Sequence, residues 1–299
     1  IGKRNIYVGC GAGRCRGQSG GDDNVALGQL ALRGSAVVAN NTGGHNIAIG
    51  EESGFGLTSG NYNTFIGYES GFMATTSSDN IGIGRCTLGG NAGQNTTGSE
   101  NVAIGCEALS KVTTGQYNLA LGSETGKSLT SGDKNVLIGQ YAGKCINHSY
   151  NVIIGSLAGC KVVNNYNLML GFGAGRNTCS VTGSTFVGTY AGKCNTTGEN
   201  NTFVGRYAGG YSASITGDCN IAIGRATSLP DATGNKQLVI GHGSDYWISG
   251  DSSYNVTLAG IATVTASTGV VEATKFCGDG SCLTGITASG TGAIGGLTI

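Results

Sequence analysis

The sequence has a single proline, little charge and few aromatic residues: Asp, Glu, Lys and Arg supply 11% of its 299 positions, and Phe, Trp and Tyr supply 7%. With 57 glycines beside one proline, the chain is neither collagen nor a solvated linker, and its balance is far from that of an ordinary globular enzyme. Disorder would need low hydrophobicity and a large net charge. Here 39% of residues are apolar and 17 cations meet 17 anions, so an ordered chain is expected.

The same zero balance removes the basic footprint that phosphate binding requires, so no nucleic-acid partner is expected. No run of about 18 apolar residues is present, and no membrane insertion is expected. The opening IGKRNIYVG has no Met and no apolar signal core and starts partway through a repeat unit, as in a processed chain or an excerpt from a longer one. Eleven cysteines without metal-type spacing fit an oxidising, extracellular setting.

One unit, N-x-x-[IVL]-G, recurs through most of the chain. Its Asn and Gly anchors include Asn5 and Gly9, Asn24 and Gly28, Asn46 and Gly50, Asn63 and Gly67, Asn101 and Gly105, Asn135 and Gly139, Asn151 and Gly155, and Asn201 and Gly205. Fourteen copies end at Gly241, 16 to 22 residues apart and about 18 on average, with Ser184 and Gln237 in place of Asn in two of them. A period this short indicates a solenoid whose coils stack on their neighbours. Three β-branched or apolar residues between turn formers favour a strand over a helix, and two short strands with two turns are expected per coil.

A second element, x-x-[AST]-G, follows most anchors, with Leu32, Leu88 or Leu109 replacing its glycine in three coils. The glycines mark corners where φ is positive or a Cβ has no room. Asn, stacked once per coil, is expected to form an amide ladder in which Ser184 and Gln237 are weak rungs. Along each strand the first and third residues share a face and the second points away. The third is always Ile, Leu or Val, and the second is also mostly apolar: Tyr7, Phe65, Leu137, Ile153, Met169, Phe186, Phe203 and several alanines. One face suffices for a coil interior, so the second position is expected to meet another chain.

At these residues NVAIG, NIAIG and NVIIG resemble the head repeats of trimeric autotransporter adhesins. The longer NTTGENNTFVGRYAGG, residues 195–210, is similar to the repeats of phage and viral tail-fibre proteins, a resemblance covering about residues 1–245. The segment ATKFCGDGSCLTGI resembles strand-turn-strand units of marine-phage fibre proteins, with Cys277 and Cys282 bracketing its GDGS turn. The resemblance implies an all-β protein: a left-handed parallel β-roll of about fourteen coils over residues 1–245, homotrimeric, then a β-rich shaft segment over residues 246–299.

Chemistry-bearing motifs are sparse. GCGAGRC at Gly9 and GFGAGRN at Gly171 brush against a dinucleotide fingerprint, but no βαβ unit follows. His45, His148 and His242 fall at different phases of the repeat, and the pairs Asp22-Asp23 and Glu51-Glu52 read as solvated surface. Sequons at Asn40, Asn95, Asn147, Asn195, Asn200 and Asn255 arise readily in Asn- and Thr-rich turns. No catalytic residue, metal or cofactor is expected.

Disulfides stapling adjacent coils are expected for Cys86 with Cys106, Cys145 with Cys160 and Cys179 with Cys194, and short closed loops for Cys10 with Cys15 and Cys277 with Cys282. Cys219 is left over. The expected function is a non-enzymatic virion fibre, extracellular, whose partners are its own copies, other virion proteins at its ends and a host glycan or receptor. The alternative is a bacterial adhesin or extracellular filament, and a depolymerase riding on the solenoid ranks third.

Overall fold

A computed structural model describes residues 2–15, 21–37, 40–90, 95–161, 163–211, 213–259, 262–268 and 270–273. Among these the chain is all-β and builds one continuous sheet of 18 strands. Strands β1 to β14 span Ile6–Val8, Val25–Leu27, Ile47–Ile49, Thr64–Ile66, Ile81–Ile83, Val102–Ile104, Leu119–Leu121, Val136–Ile138, Val152–Ile154, Leu168–Leu170, Thr185–Val187, Thr202–Val204, Ile221–Ile223 and Leu238–His242. Each pairs in parallel with the strand before it in strict register, so that Met169 lies over Ile153 and under Phe186. That arrangement is a β-solenoid.

Each coil holds one short strand, of three residues in β1 to β13 and five in β14, instead of the two expected. The rest is a chain of turns whose backbone groups bond to the coils above and below, as Gly126 N does to the Ala142 carbonyl (3.0 Å). Such turns need left-handed backbone. Gly67 at φ 127° leads out of β4, and a Cβ there would lie 2.5 Å from the Gly84 carbonyl oxygen of the next coil, so both expected reasons for glycine hold at this corner. Non-glycine residues adopt the same region just before the anchor Asn, as at Tyr62 (57°) and Glu100 (58°), and two residues after the anchor Gly, as at Glu124 (53°).

The interior is the opposite face from the one anticipated. Second-position residues Phe65, Leu137, Ile153, Met169, Phe186 and Phe203 are fully buried inside their own chain, and Phe186 stacks on Phe203 at 5.3 Å. First and third positions point outward. The expectation that the second position meets another chain is therefore corrected. The Gly-rich turns curl back across that face and close over it, Ala142, Ala174 and Ala191 packing there with Leu57, Val112, Leu129 and Ile146.

In several coils the strand centre and the corner trade volume. Where the strand centre is large, as at Phe65, the corner four residues beyond the anchor is Gly71, whose Cβ would lie 2.6 Å from the phenyl ring. Where the centre is Ala26, Gly82 or Ala103, that corner is Leu32, Leu88 or Leu109, buried at φ 47–49°. The strain of a left-handed leucine, of order 1 kcal/mol, is offset by burying a side chain the interior would otherwise lack.

After β14 the sheet continues antiparallel through β15 (Asp245–Gly250), β16 (Val256–Leu258), β17 (Ala262–Thr265) and β18 (Val270–Ala273). The change of direction falls between His242 and Asp245. Cys277, Cys282 and the GDGS turn lie outside the described residues.

Candidate functional site

The anchor asparagines form a buried column. Asn118 Nδ2 donates to Asn101 Oδ1 (3.0 Å) and to the Gly132 carbonyl (2.9 Å), while its Oδ1 accepts from Asn135 N (3.0 Å) and Asn135 Nδ2 (2.9 Å). The same relay runs from Asn24 through Asn46, Asn63, Asn80 and on to Asn167. At Ser184 it thins: the hydroxyl accepts from Asn201 N (3.1 Å), but no amide is there to donate, and Asn201 Nδ2 turns to Asn195 Oδ1 (3.2 Å). Gln237 keeps the relay at longer reach, Nε2 to Asn220 Oδ1 at 3.4 Å.

A second polar column lies two residues upstream, where sequence reasoning saw only turn composition. Asn61 Oδ1 accepts from Gly44 N (2.8 Å), Ser78 Oγ from Asn61 N (3.0 Å), Ser149 Oγ from Asp133 N (2.9 Å) and Asp218 Oδ1 from Glu199 N (2.7 Å). The signal is a short side chain with an acceptor oxygen two places before most anchors.

Outside the sheet, first- and third-position residues make an apolar ridge along its length. Ile6, Val8, Ile47, Ile104, Leu170 and Ile221 expose from 38% to 59% of their surface. Ridge residues repeat at the coil rise of about 4.8 Å, so fourteen coils give a strip roughly 60 Å long.

All nine cysteines among the described residues are free thiols, and the four disulfides expected among them are absent. Register explains three pairs. Cys86 and Cys106 are one residue out of phase: Cys86 Sγ donates to Glu69 Oε2 (3.4 Å), whereas Cys106 Sγ accepts from the Arg85 guanidinium (3.0 Å). Cys145 and Cys160 are likewise one residue apart in phase, and Cys160 Sγ donates to the Arg176 carbonyl (3.5 Å). Cys179 and Cys194 are two apart, and Cys194 Sγ donates to the Tyr211 carbonyl (3.0 Å). Cys10 and Cys15 stay separate within one corner, and Cys219 is an exposed thiol. Burial pushes the Cys160 and Cys194 thiols up, away from the reactive thiolate.

Along one flank an ion-pair chain climbs the coils. Arg85 reaches Glu107 (3.0 Å), Lys127 bridges Glu107 (2.5 Å) and Glu124 (3.2 Å), and Lys144 closes on Glu124 (2.8 Å). Lys127 holds the Glu107 carboxyl, and Lys144 the Glu124 carboxyl, below the usual carboxylate range. A depressed folded pKa gives stability that is present above the unfolded value, about 4.3, and is lost as pH falls through the folded one. These groups are solvated, so the double variant Glu107→Gln, Glu124→Gln should cost at most about 1 kcal/mol at pH 7, and the cost should shrink as pH falls below the usual carboxylate range. Thermal unfolding at neutral and at acid pH, with and without salt, checks this.

Converging chemistry is sparse. Among the described residues no group of three or more His, Cys, Asp or Glu could hold a metal ion. His45 stacks on Tyr62 (4.8 Å), His242 Nε2 sits 3.0 Å from an Arg225 nitrogen, and His148 lies on a separate turn. Asp23 is held by Arg4 (2.7 Å to Oδ2) one coil away, and Glu51-Glu52 sit at a surface corner. Asn195 is buried, so of the sequons it offers no access, while Asn40, Asn95, Asn147 and Asn200 are exposed. What the described residues supply in quantity is periodicity: a buried amide column, a second polar column upstream of it, an outward apolar ridge and a charged flank. Comparison with known proteins places the chain beside none of them: no family model, no curated protein and no solved structure matches it.

Proposed function

We propose that this chain is the shaft of a virion appendage, a phage tail fibre or similar: a stiff homotrimer of left-handed β-rolls that holds other virion proteins at its ends and serves attachment to a host surface. The observation that carries this reading is the outward ridge of Ile, Val, Leu and Thr on β1 to β14. At roughly 60 Å by roughly 10 Å it matches or exceeds the largest apolar patches monomers tolerate, and with its flanks it approaches the area each partner of a stable interface contributes. A second copy of the same ridge is its natural cover, because both then share one coil rise. The number three comes from the likeness to trimeric fibres.

Sedimentation of the purified chain tests the proposal. The wild type should run as an elongated trimer at micromolar concentration. Placing lysines on the ridge, as Ile104→Lys, Ile138→Lys and Ile154→Lys together, should give soluble monomers with unchanged β circular dichroism. An ammonium buried in an apolar interface without a partner is costly, whereas one in water is not. A wild-type chain that stays a well-folded monomer would sink the proposal.

A further inference from the structure

The neutral balance of the whole chain conceals a local excess. From Lys134 to Gly198 there is no Asp or Glu, while Lys134, Lys144, Lys161, Arg176 and Lys193 all fall there, followed by Arg206. The solenoid gathers several of these on one flank. Lys144, Arg176 and Lys193 each stand five residues beyond an anchor glycine, so they occupy one column across four successive coils, with Cys160 filling the gap. Among the described residues Arg176, Lys193 and Arg206 make no ion pair, and only Lys144 is shared with a carboxylate, that of Glu124 (2.8 Å).

Beside this column runs an aromatic one. Tyr141 and Tyr190 stand two residues past their anchors, each under a cation: Lys144 Nζ is 4.6 Å and Lys193 Nζ 5.2 Å from the ring centroid. Arg206 lies 5.1 Å from the Tyr207 ring, which itself stacks on Tyr190 at 5.0 Å and on Tyr211 at 4.3 Å. The strip lies on the turns beyond the strands, its residues half-buried apart from the exposed Arg206 and Tyr211.

We infer that this flank, from Lys144 to Tyr211, binds a linear acidic polysaccharide laid along the solenoid. Cations at multiples of about 4.8 Å suit a polymer carrying carboxylates at regular intervals. The phenol hydroxyls and ring edges suit its sugar hydroxyls. Single-stranded nucleic acid fits less well, because it needs free ring faces on which bases stack. Here Tyr190 and Tyr207 lie against neighbouring rings, and Lys144, Lys193 and Arg206 each lie by one of Tyr141, Tyr190 and Tyr207, which leaves few ring faces free.

This inference rests on the reading of the chain as an attachment fibre, and the experiment separates the two. Binding of the full chain to polygalacturonate, to neutral dextran and to single-stranded DNA is measured at low and high salt, with sedimentation run on the same samples. Expected is salt-sensitive binding of polygalacturonate, none of dextran, and binding roughly thirtyfold weaker in the triple variant Arg176→Gln, Lys193→Gln, Arg206→Gln, as for three exposed ion pairs. Its circular dichroism and assembly should be unchanged. Overturning results are no binding of polygalacturonate by the wild type, equal binding of dextran, undiminished binding by the triple variant, or preference for DNA. A wild-type rod that binds nothing refutes the glycan site and leaves the fibre standing. A monomer that binds polygalacturonate does the reverse.

Discussion

Replacing Phe186 and Phe203 together with Asp should unfold the coils around them, not merely separate chains. Both rings are fully buried inside one chain and stack at 5.3 Å, so the exchange removes two large apolar side chains and leaves two carboxylates without partners. Lost transfer is about 1.5 to 3 kcal/mol per ring, and burying an unpaired charge adds several more, together comparable with the whole stability of an ordinary domain. Solenoid stability is a sum of local terms, so the damage should centre on β10 to β13 and spread outward. Limited proteolysis should cut within residues 171–224 while the earlier coils resist. The lysine variants of the ridge supply the contrast, since they should lose assembly and keep their dichroism. Native dichroism and an unchanged melting temperature in the double Asp variant would refute the inward placement of the second position.

Asn118→Ala should be among the most damaging losses of a single polar side chain. It deletes four hydrogen bonds of 2.9 to 3.0 Å and strands the Gly132 carbonyl and the Asn135 backbone amide in the interior, while Asn135 Nδ2 keeps only the His148 carbonyl (2.8 Å). Each buried group left without a partner costs about 1 to 3 kcal/mol, so roughly 2 to 6 kcal/mol is expected in denaturant unfolding. Ser184→Asn should act in the opposite direction by restoring the missing donor, provided Asn201 turns back from Asn195. A cost below about 1 kcal/mol for Asn118→Ala would show that the column follows the coil without holding it.

Much of this architecture is written in residue types whose roles are local. Asn repeating before three β-branched or apolar residues and a glycine gave the strand positions, the parallel stacking and the amide column, because each depends only on what one coil does and on being repeated. The choice of inner face did not follow. Both faces of Thr185–Val187 are apolar enough to be buried, and alternation says which residues share a face without saying where the interior lies. A signal was nonetheless present: Leu32, Leu88 and Leu109 replace the corner glycine only where the strand centre is Ala26, Gly82 or Ala103, a trade of volume that makes sense only if both positions fill one cavity. The cysteine pairs failed for a related reason. Counting from the anchor glycine ranked Cys145 and Cys160 as neighbours, but a parallel ladder keeps phase residue by residue, so an offset of one places the side chains in adjacent columns.

The shared filling of the interior also bears on how such a chain can change length over generations. The coil holding Ala48 and Gly54 has no large residue at either position, and its space is taken by Leu32 from the coil before and Phe65 from the coil after, which would stand 2.9 Å and 3.4 Å from a Cβ at Gly54. The coil of Ala120 and Gly126 leans in the same way on Leu109 and Leu137. Adding or dropping single units would keep the residue pattern of the repeat. Yet a dropped donor coil leaves its neighbour hollow, and a dropped acceptor coil sets two bulky side chains against each other. Heritable growth and shrinkage of the rod should therefore proceed in blocks bounded by self-filled coils such as that of Phe203, where a breakpoint disturbs no borrowed volume.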